Sequence, residues 1–379
     1  MPGGISAGFY SRYPLAFPAY SFHLPVLDYL PYSIFSINVA MPAVLAPAKA
    51  LVTGANGYVA AWVVRAFLEE GYSVTGTVRC TSKGEHLTKI FSSFGDKFKV
   101  KVVEDMTVPG AFDDAVKGVD IVAHTASPFY LTAKTPHELI EPAVRGTVGV
   151  LESIQKAGTS VRRVVITSSV AAILNPPDSG VLDETSWNVN HPKEVQEKGA
   201  EASGSAKYCA SKSIAERSAW DFVQKHQPQW DIVTINPSLV LGPPIHEVPS
   251  LDKLNESVRQ LHDVLFKNIY DPEALATINN NWVDVRDVAK AHMLAAKIPA
   301  AGGERFIVSY GKFYWQDIVD AANDVDSSIP LKGKYGATKD KEVSATFPRA
   351  KSERILGLRY TDLHSSIHDS LAFFKGFPQ

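Results

Sequence analysis

The sequence has little cysteine, with only Cys80 and Cys209 among 379 residues. Two cysteines cannot build a disulfide framework, and no histidine or cysteine partners stand at the spacing of a zinc site. A basic excess is also missing, because the formal net charge is −2. Nucleic acid and an acidic membrane surface are therefore not expected as partners. We therefore expect the protein to lie in a reducing, cytoplasmic compartment and to bind no metal.

A long uninterrupted apolar run is missing as well. Residues 1–40 are rich in Pro, Tyr, Phe and Ser, with Arg12 as their only Arg or Lys. The apolar stretch at 24–40 contains Asp28 and two prolines, so it is too broken to span a bilayer. It lacks the basic start of a secretory signal and the arginines of a mitochondrial presequence. We expect the folded protein to begin near Met41, with 1–40 as a disordered extension or an artefact of the gene model.

What the chain does contain, from Lys49 onward, is a strand, a glycine turn and a helix. An apolar run at 50–52 precedes Gly54 and Gly57, and an amphipathic stretch then ends at Gly71. Glycines at this position let the backbone approach a pyrophosphate, whose charge is stabilised at the helix N-terminus. Ala60 is a tolerated third small residue of the dinucleotide-binding motif. The predicted cofactor contacts of this turn are Gly54, Asn56, Gly57, Tyr58 and Val59.

The second strand, predicted over 73–78, distinguishes between the two nicotinamide cofactors. NAD-binding units usually carry an acid at the end of this strand to bind the ribose 2′-hydroxyl. Here Arg79 follows the strand, Lys83 comes next, and the first acid is Glu85. A guanidinium binds a 2′-phosphate through charge-assisted hydrogen bonds, whereas a carboxylate would repel it. The pattern favours NADPH.

Further strands are predicted at 98–103, 119–123, 164–166 and 232–235, separated by helical segments. This alternation predicts an α/β fold, a Rossmann-type doubly wound parallel sheet with ligands at the strands' C-terminal ends. The Rossmann core would cover about 48–240 plus the segment around 280–298 of a 41–379 domain. A smaller C-terminal substrate-binding lobe would come mainly from about 242–282 and 303–379. Additional cofactor contacts are expected at the strand ends, from Asp105, Met106, Thr125 and Ala126.

A Tyr-x-x-x-Lys pattern, Tyr208 and Lys212, lies in a segment that reads as helix. Residues at i and i+4 share a helix face. A tyrosine keeps its proton up to a pKa of about 10, and a neighbouring cation lowers that pKa. Ser169 ends the strand that precedes this segment. All three side chains should meet at the edge of the sheet that carries the glycine turn.

With these motifs the chain resembles the extended short-chain dehydrogenase/reductases, in particular the dihydroflavonol-4-reductase-like branch that includes fungal NADPH-dependent aldehyde and ketone reductases. The resemblance covers about residues 49–374, and its motifs stand at 53–59, 77–79, 124–129, 165–169, 208–212, 236–243 and 284–289. It implies that Tyr208 is the general acid of carbonyl reduction, that Ser169 hydrogen-bonds the substrate oxygen, and that Lys212 binds the nicotinamide ribose and lowers the pKa of the tyrosine. It further implies substrate contacts from Phe129, Ser169 and Tyr208, and cofactor contacts from Pro237, Val240, Ser257, Tyr208 and Lys212.

The implied reaction is NADPH-dependent reduction of a small aldehyde or ketone to an alcohol, by a monomer or a homodimer. Two alternatives remain: a nucleotide-sugar epimerase or dehydratase of the same fold, and a non-catalytic regulator that senses NADP. The chain departs from the related cinnamoyl-CoA reductases, which carry Asn-Trp-Tyr-Cys-Tyr around the tyrosine where Ala206-Lys207-Tyr208-Cys209-Ala210 stands here. That departure argues against a CoA thioester as substrate.

Overall fold

A computed structural model describes residues 43–127, 132–176, 180–339, 341 and 345–377 of the chain. The expected extension at 1–40 and the predicted substrate contact Phe129 lie outside these residues. None of the helices in the described ranges is both long and apolar enough to cross a membrane.

The strands alternate with helices along most of the chain, as the pattern predicts. The strands are β1 (Lys49–Val52), β2 (Ser73–Val78), β3 (Phe98–Val102), β4 (Ile121–His124), β5 (Arg163–Thr167), β6 (Gly180–Val181), β7 (Asp231–Pro237), β8 (Leu239–Leu241), β9 (Asn279–Asp284), β10 (Arg305–Val308), β11 (Gly311–Tyr314) and β12 (Ala345–Thr346). The helices are α1 (Tyr58–Glu69), α2 (Ser82–Ile90), α3 (His137–Ala157), α4 (Asn190–Lys198), α5 (Gly204–His226), α6 (Glu256–Phe266), α7 (Pro272–Thr277), α8 (Val285–Lys297), α9 (Trp315–Val325) and α10 (Leu363–Lys375).

The central sheet has seven parallel strands in the order β10-β7-β5-β4-β1-β2-β3. The order reverses between β1 and β4, and at such a switch point a crevice opens beyond the C-terminal ends of the strands. Its central strands are buried, so they read in the sequence as apolar runs rather than as alternating patterns. The predicted Rossmann-type fold is confirmed.

A smaller sheet is formed by strands that precede and follow β10, the last strand of the central sheet in the chain. Strands β11, β9 and β8 form a three-stranded sheet. A second apolar core, separate from those flanking the main sheet, gathers residues of this sheet and of α6, α7, α9 and α10, with Trp282 and Trp315 fully buried. These elements come from 239–284 and 311–375. The predicted bounds of the lobe differ at one strand, because β10 falls in the stretch predicted for the lobe and joins the central sheet.

The six strands for which the sequence predicts bounds agree with the structure to within two residues. Two ends differ by that much: β7 ends at Pro237 instead of 235, and β4 starts at Ile121 instead of 119. Gly118 has a φ of +68°, so the chain is still turning just before this point. Asp120 then uses its backbone N–H and its carboxylate to bind Lys49 at the start of β1.

Candidate active site

The glycine turn joins β1 to α1 at the C-terminal edge of the sheet. Gly54 has a φ of +63°, and a Cβ at this position would lie 3.0 Å from the Cβ of Ala126. Its N–H donates to Thr77 Oγ1 at 3.1 Å, which ties the turn to the end of β2. A Cβ at Gly57 would lie 3.2 Å from the Gly54 carbonyl oxygen. A side chain is therefore disfavoured at both positions by close contacts, and at Gly54 also by the positive φ.

At the start of helix α1 no side chain caps the backbone N–H groups. The N-cap residue is Gly57, which has no side chain to accept a hydrogen bond, and the first turn of α1 contains no Asp or Glu. The Tyr58 side chain is buried and donates to the Gly242 carbonyl at 2.8 Å, so this residue can offer a ligand only its backbone N–H. Val59 packs against the apolar cores, and Asn56 is partly exposed. The first N–H groups of a helix lack partners within the helix and attract anions.

The end of β2 presents positive charge at the surface. Arg79 and Lys83 are exposed, and Lys83 Nζ lies 3.9 Å from Glu247 Oε2. Asp105, after β3, is exposed and accepts from Thr107, which lowers the pKa of its carboxyl; Arg79 adds to the lowering through its charge. Of the four predicted residues at this corner, Arg79 and Asp105 interact through their charges. Met106 packs on Gly146 of α3, where a Cβ would lie 3.1 Å from its Sδ.

His124 links the glycine turn to the predicted contacts Thr125 and Ala126. Its Nδ1 lies 3.0 Å from Thr53 Oγ1, and that oxygen accepts from the backbone N–H groups of Thr125 and Ala126, each at 3.1 Å. Burial, and then the charge of Lys212, lowers the pKa of His124 to about 3, so the ring is neutral. These contacts and the neutral ring are those of a structural histidine at the end of β4.

The hydroxyls of Ser169 and Tyr208 are hydrogen-bonded to each other. Ser169 is the second residue after the end of β5. Tyr208 is on the second turn of α5. Ser203 caps this helix, since its hydroxyl accepts from Ala206 N at 3.0 Å. Ser169 Oγ accepts from Ala171 N at 3.1 Å, which leaves its own proton to donate. Two residues from separate elements thus bring two hydroxyls together where the sequence predicts the reacting carbonyl.

The pKa of Tyr208 differs from the sequence expectation. Burial raises it above the ordinary value, and the bond from Ser169 lowers it by less. The net shift is upward because the loss of hydration of a phenolate on burial outweighs the stabilisation by the bond from Ser169. The lowering by Lys212 that the resemblance implies stays a prediction. A raised pKa keeps the phenol protonated at neutral pH, which is the form that a general acid needs.

Lys212 lies one turn beyond Tyr208 on the same face of α5 and is buried. Burial lowers its pKa to about 8, against a smaller opposing effect of the Glu216 carboxylate. Lys212 and Glu216 line one small cavity together with His124 and Thr147. The ammonium is therefore enclosed between the catalytic helix and the end of β4.

Glu216, which the sequence reasoning missed, connects α5 to two strand ends. It is buried, and its carboxylate accepts from Ser168 Oγ, from Asn236 Nδ2 at 2.7 Å and from Arg305 Nε at 2.6 Å. Burial raises its pKa, but Arg305 and the hydrogen bonds outweigh burial, so the net shift is downward and the group is ionised. The sequence did contain a signal for Glu216: it stands four residues after Lys212 and eight after Tyr208, which puts all three side chains on one face of the helix.

The remaining predicted contacts lie at the ends of β7 and on α6. Pro237 ends β7 and is buried, while Val240 in β8 is half-buried between two apolar cores. Ser257 is buried in the first turn of α6, and its hydroxyl accepts from Asn255 Nδ2 at 3.1 Å. Beside Pro237, the buried hydroxyl of Ser238 has no hydrogen-bond partner among the described residues, another polar group that the sequence reasoning did not single out.

These features fit a nicotinamide dinucleotide that carries a 2′-phosphate. The glycine turn leaves room where Cβ atoms would clash, α1 offers uncapped N–H groups, and Arg79 with Lys83 supplies positive charge. The unpartnered Ser238 hydroxyl stands at the strand end predicted to contact the nicotinamide. Thus NADPH would be bound by the turn and Arg79 at one end, and by Tyr208, Lys212 and the end of β7 at the other.

Comparison with known proteins agrees with this site. Residues 50–309 match the model of the NAD dependent epimerase/dehydratase family. A ketoreductase of Aspergillus niger, azaE, is 36% identical over 342 residues, which cover 85% of this chain and 96% of the relative. A cinnamoyl-CoA reductase of Medicago truncatula, CAD2, is 36% identical over 336 residues, covering 86% and 94%.

One solved structure is similar to this protein over most of the chain. The yeast methylglyoxal/isovaleraldehyde reductase Gre2, crystallised in complex with NADPH, superposes with a TM-score of 0.76 at 32% identity and covers 86% of this chain and 99% of its own. Family model, relatives and structure all span the region that carries the glycine turn and Tyr208. The chain therefore belongs to the NAD dependent epimerase/dehydratase family.

Proposed function

We propose that this protein is an NADPH-dependent reductase that converts small aldehydes or ketones to alcohols. The observation that carries the proposal is the pair of hydrogen-bonded hydroxyls of Ser169 and Tyr208, with Lys212 one helical turn away. The names of two relatives agree with it, since one is a ketoreductase and another is a methylglyoxal/isovaleraldehyde reductase crystallised with NADPH.

In the proposed mechanism, bound NADPH supplies the hydride that the carbonyl carbon accepts. Tyr208 donates its phenolic proton to the carbonyl oxygen as negative charge develops there. Ser169 donates a hydrogen bond to the same oxygen and so stabilises the transition state more than the ground state. Lys212 contributes positive charge behind the tyrosine, where it also binds the nicotinamide ribose.

Several finer assignments belong to the same proposal. Arg79 and Lys83 bind the 2′-phosphate, and the elements after β8 form the lobe that holds the substituents of the carbonyl substrate. Residues 1–40 are not needed for this chemistry. We further propose that the protein acts in the cytoplasm, which agrees with its two unpaired cysteines, Cys80 and Cys209.

Three other functions compete with carbonyl reduction. An epimerase or dehydratase of the family returns the hydride within each cycle, and its second strand usually ends in an acid, where Arg79 stands here. A non-catalytic regulator would not require Ser169, Tyr208 and Lys212 together. A CoA thioester substrate is suggested by the similarity to CAD2, but Ala206 and Lys207 differ from the residues typical of those enzymes.

The deciding experiment follows the absorbance of the reduced nicotinamide. Purified protein with NADPH receives a panel of aldehydes and ketones, a nucleotide sugar and an aromatic CoA thioester in parallel. Stoichiometric loss of NADPH with a carbonyl compound, and appearance of the alcohol, is the expected result. Conversion of the nucleotide sugar without net loss of NADPH would favour the epimerase. NADPH consumption with the thioester alone would favour that substrate.

A further inference from the structure

Lys207, the residue directly before Tyr208, is a buried cation that the proposed mechanism does not use. Only 4% of its surface is exposed. Its Nζ donates to three backbone carbonyls, those of Ala200 at 2.8 Å, Lys134 at 2.9 Å and Ala133 at 3.2 Å. An ammonium has three protons to donate, so this set of acceptors is complete. Lysine is rarely buried to this extent unless it is paired, and here carbonyl oxygens take the place of a carboxylate.

The three carbonyls belong to two different connecting segments. Ala133 and Lys134 lie between β4 and α3, in the connection that also carries the predicted cofactor contacts Thr125 and Ala126. Ala200 lies in the turn Gly199–Glu201, between α4 and α5. One side chain thus attaches both segments to the first turns of the helix that carries Tyr208.

Apolar packing already holds the neighbouring helices together. Ile140, Val195, Ala202, Ala206 and Ala210 form a small core where α3, α4 and α5 meet. An uncharged side chain at 207 could extend this core without the desolvation cost of a buried ammonium. The charge instead fixes the backbone of two connections, and connections of this kind usually carry the substrate-binding residues of a rigid scaffold.

We propose that Lys207 is a positioning residue that sets the substrate-binding side of the active site, by fixing segments 132–134 and 199–201 relative to Tyr208. The inference rests on the proposed carbonyl reductase function and adds a determinant of substrate selectivity to it. Displacing a substrate by about 1 Å from its reactive geometry can reduce the rate about 10²-fold. If the loss of the Lys207 hydrogen bonds displaces the substrate by even a fraction of this distance, the change in rate will be measurable.

The test replaces Lys207 by Met, which keeps the length of the side chain and removes its donors. For Lys207→Met we expect kcat/KM for carbonyl substrates to fall by about 10- to 100-fold. The loss should appear in kcat as well as in KM, because a displaced substrate also reacts more slowly, and the preference between small and bulky carbonyl compounds should change. The Kd of NADPH, measured by nucleotide fluorescence, should stay within about twofold, since the hydrogen bonds that Lys207 Nζ makes to described residues go to Ala133, Lys134 and Ala200 and not to the glycine turn or Arg79. Lys207→Arg, which keeps charge and donors, should recover part of the loss.

Lys332 provides a matched control, because its Nζ also donates to two carbonyls, those of Val264 at 2.9 Å and Leu265 at 2.8 Å. Lys332 lies in the proposed substrate lobe, so this control is read by stability and hydrogen exchange: Lys332→Met should lower the melting temperature and leave amide exchange in 132–136 and 199–203 unchanged. If Lys207→Met behaves in the same way, Lys207 only stabilises the fold and the proposal is overturned.

Hydrogen exchange tests the structural part of the proposal without any substrate. Amides in 132–136 and 199–203 should exchange faster in Lys207→Met, or in Lys207→Gln if the first variant does not fold. Unchanged exchange in both segments would overturn the proposal even if activity fell. A wild-type protein that reduces no carbonyl compound would instead contradict the proposed function, and exchange would still report whether Lys207 fixes the two segments.

Discussion

At the scale of single residues, Tyr208 is the group on which the proposed chemistry depends. Burial raises its pKa, so it stays a proton donor throughout the neutral range. Tyr208→Phe removes one hydroxyl, and its turnover number should fall by about 10²- to 10⁴-fold, the usual contribution of general acid catalysis. The melting temperature and the Kd of NADPH serve as controls and should barely change. Turnover close to wild type would mean that another group supplies the proton.

Arg79 is the residue that should distinguish NADPH from NADH. It is exposed at the end of β2, and the sequence has no acid in the positions just after that strand. A hydrogen bond to a charged group contributes about 1.5–3 kcal/mol, so Arg79→Ala should weaken NADPH binding by roughly 10- to 150-fold. The Kd of NADH, measured by the same titration, should be almost unaffected. Equal losses for both cofactors would show that Arg79 does not contact the 2′-phosphate.

The lowered pKa of Lys212 predicts that catalysis depends on pH. Because this pKa is about 8, kcat/KM should fall as the pH rises through about 8 and the ammonium loses its proton. The effect on stability has the opposite sign. Because the pKa in the folded protein lies below the ordinary 10.5, the folded state loses its proton first, and this group favours folding increasingly as pH rises from about 8 to 10.5.

The two effects can be separated by measuring kcat/KM and the free energy of unfolding across that range. Lys212→Arg keeps its charge at every pH in the range, because arginine is effectively always protonated. Its kcat/KM should be lower than in the wild type but without the decline near pH 8. A decline that persists in this variant would assign the titration to another group.

At the scale of elements, the end of β5 decides which of two adjacent serines faces the substrate. Successive residues of an extended chain point to opposite sides. Ser168 donates to buried Glu216, whereas Ser169 bonds to Tyr208. The choice of Ser169 over Ser168, which the resemblance implies, therefore agrees with the direction of both hydroxyls.

The two serines should respond differently to the same substitution. Ser169→Ala removes a donor to the reacting oxygen, so kcat should fall by about 10²- to 10³-fold with little change in melting temperature. Ser168→Ala removes one donor from a buried carboxylate, which should cost about 1–3 kcal/mol of unfolding free energy and much less activity. Thermal unfolding and initial rates on both variants decide the assignment. The reverse pattern would exchange the roles of the two residues.

At the scale of the whole molecule, the cofactor should stabilise the fold. A ligand that binds only the folded state at 100 times its Kd adds about 2.7 kcal/mol to the free energy of unfolding. We therefore expect NADPH to raise the melting temperature by a few degrees, and NADH at the same concentration to raise it less. In Arg79→Ala the two nucleotides should give equal shifts. This measurement needs no substrate, so it tests the cofactor site separately from the reaction.

The sequence by itself determined the fold class and the positions of six of the seven strands in the central sheet. Buried parallel strands are short apolar runs, and the turn that binds a phosphate needs small residues, so both leave a local pattern. The Gly54 turn, Arg79 and the Tyr208–Lys212 pair could be identified for the same reason, because each depends on residues close together in the chain.

Only the tertiary structure decided how distant residues act on one another. Glu216 joins three elements through Ser168, Asn236 and Arg305, and Lys207 binds carbonyls up to 74 positions away. The raised pKa of Tyr208 likewise arises from burial, which depends on how α5 packs and not on its neighbours in sequence. Desolvation and hydrogen bonding are set by the atoms around a group in space, and a linear pattern does not contain that arrangement.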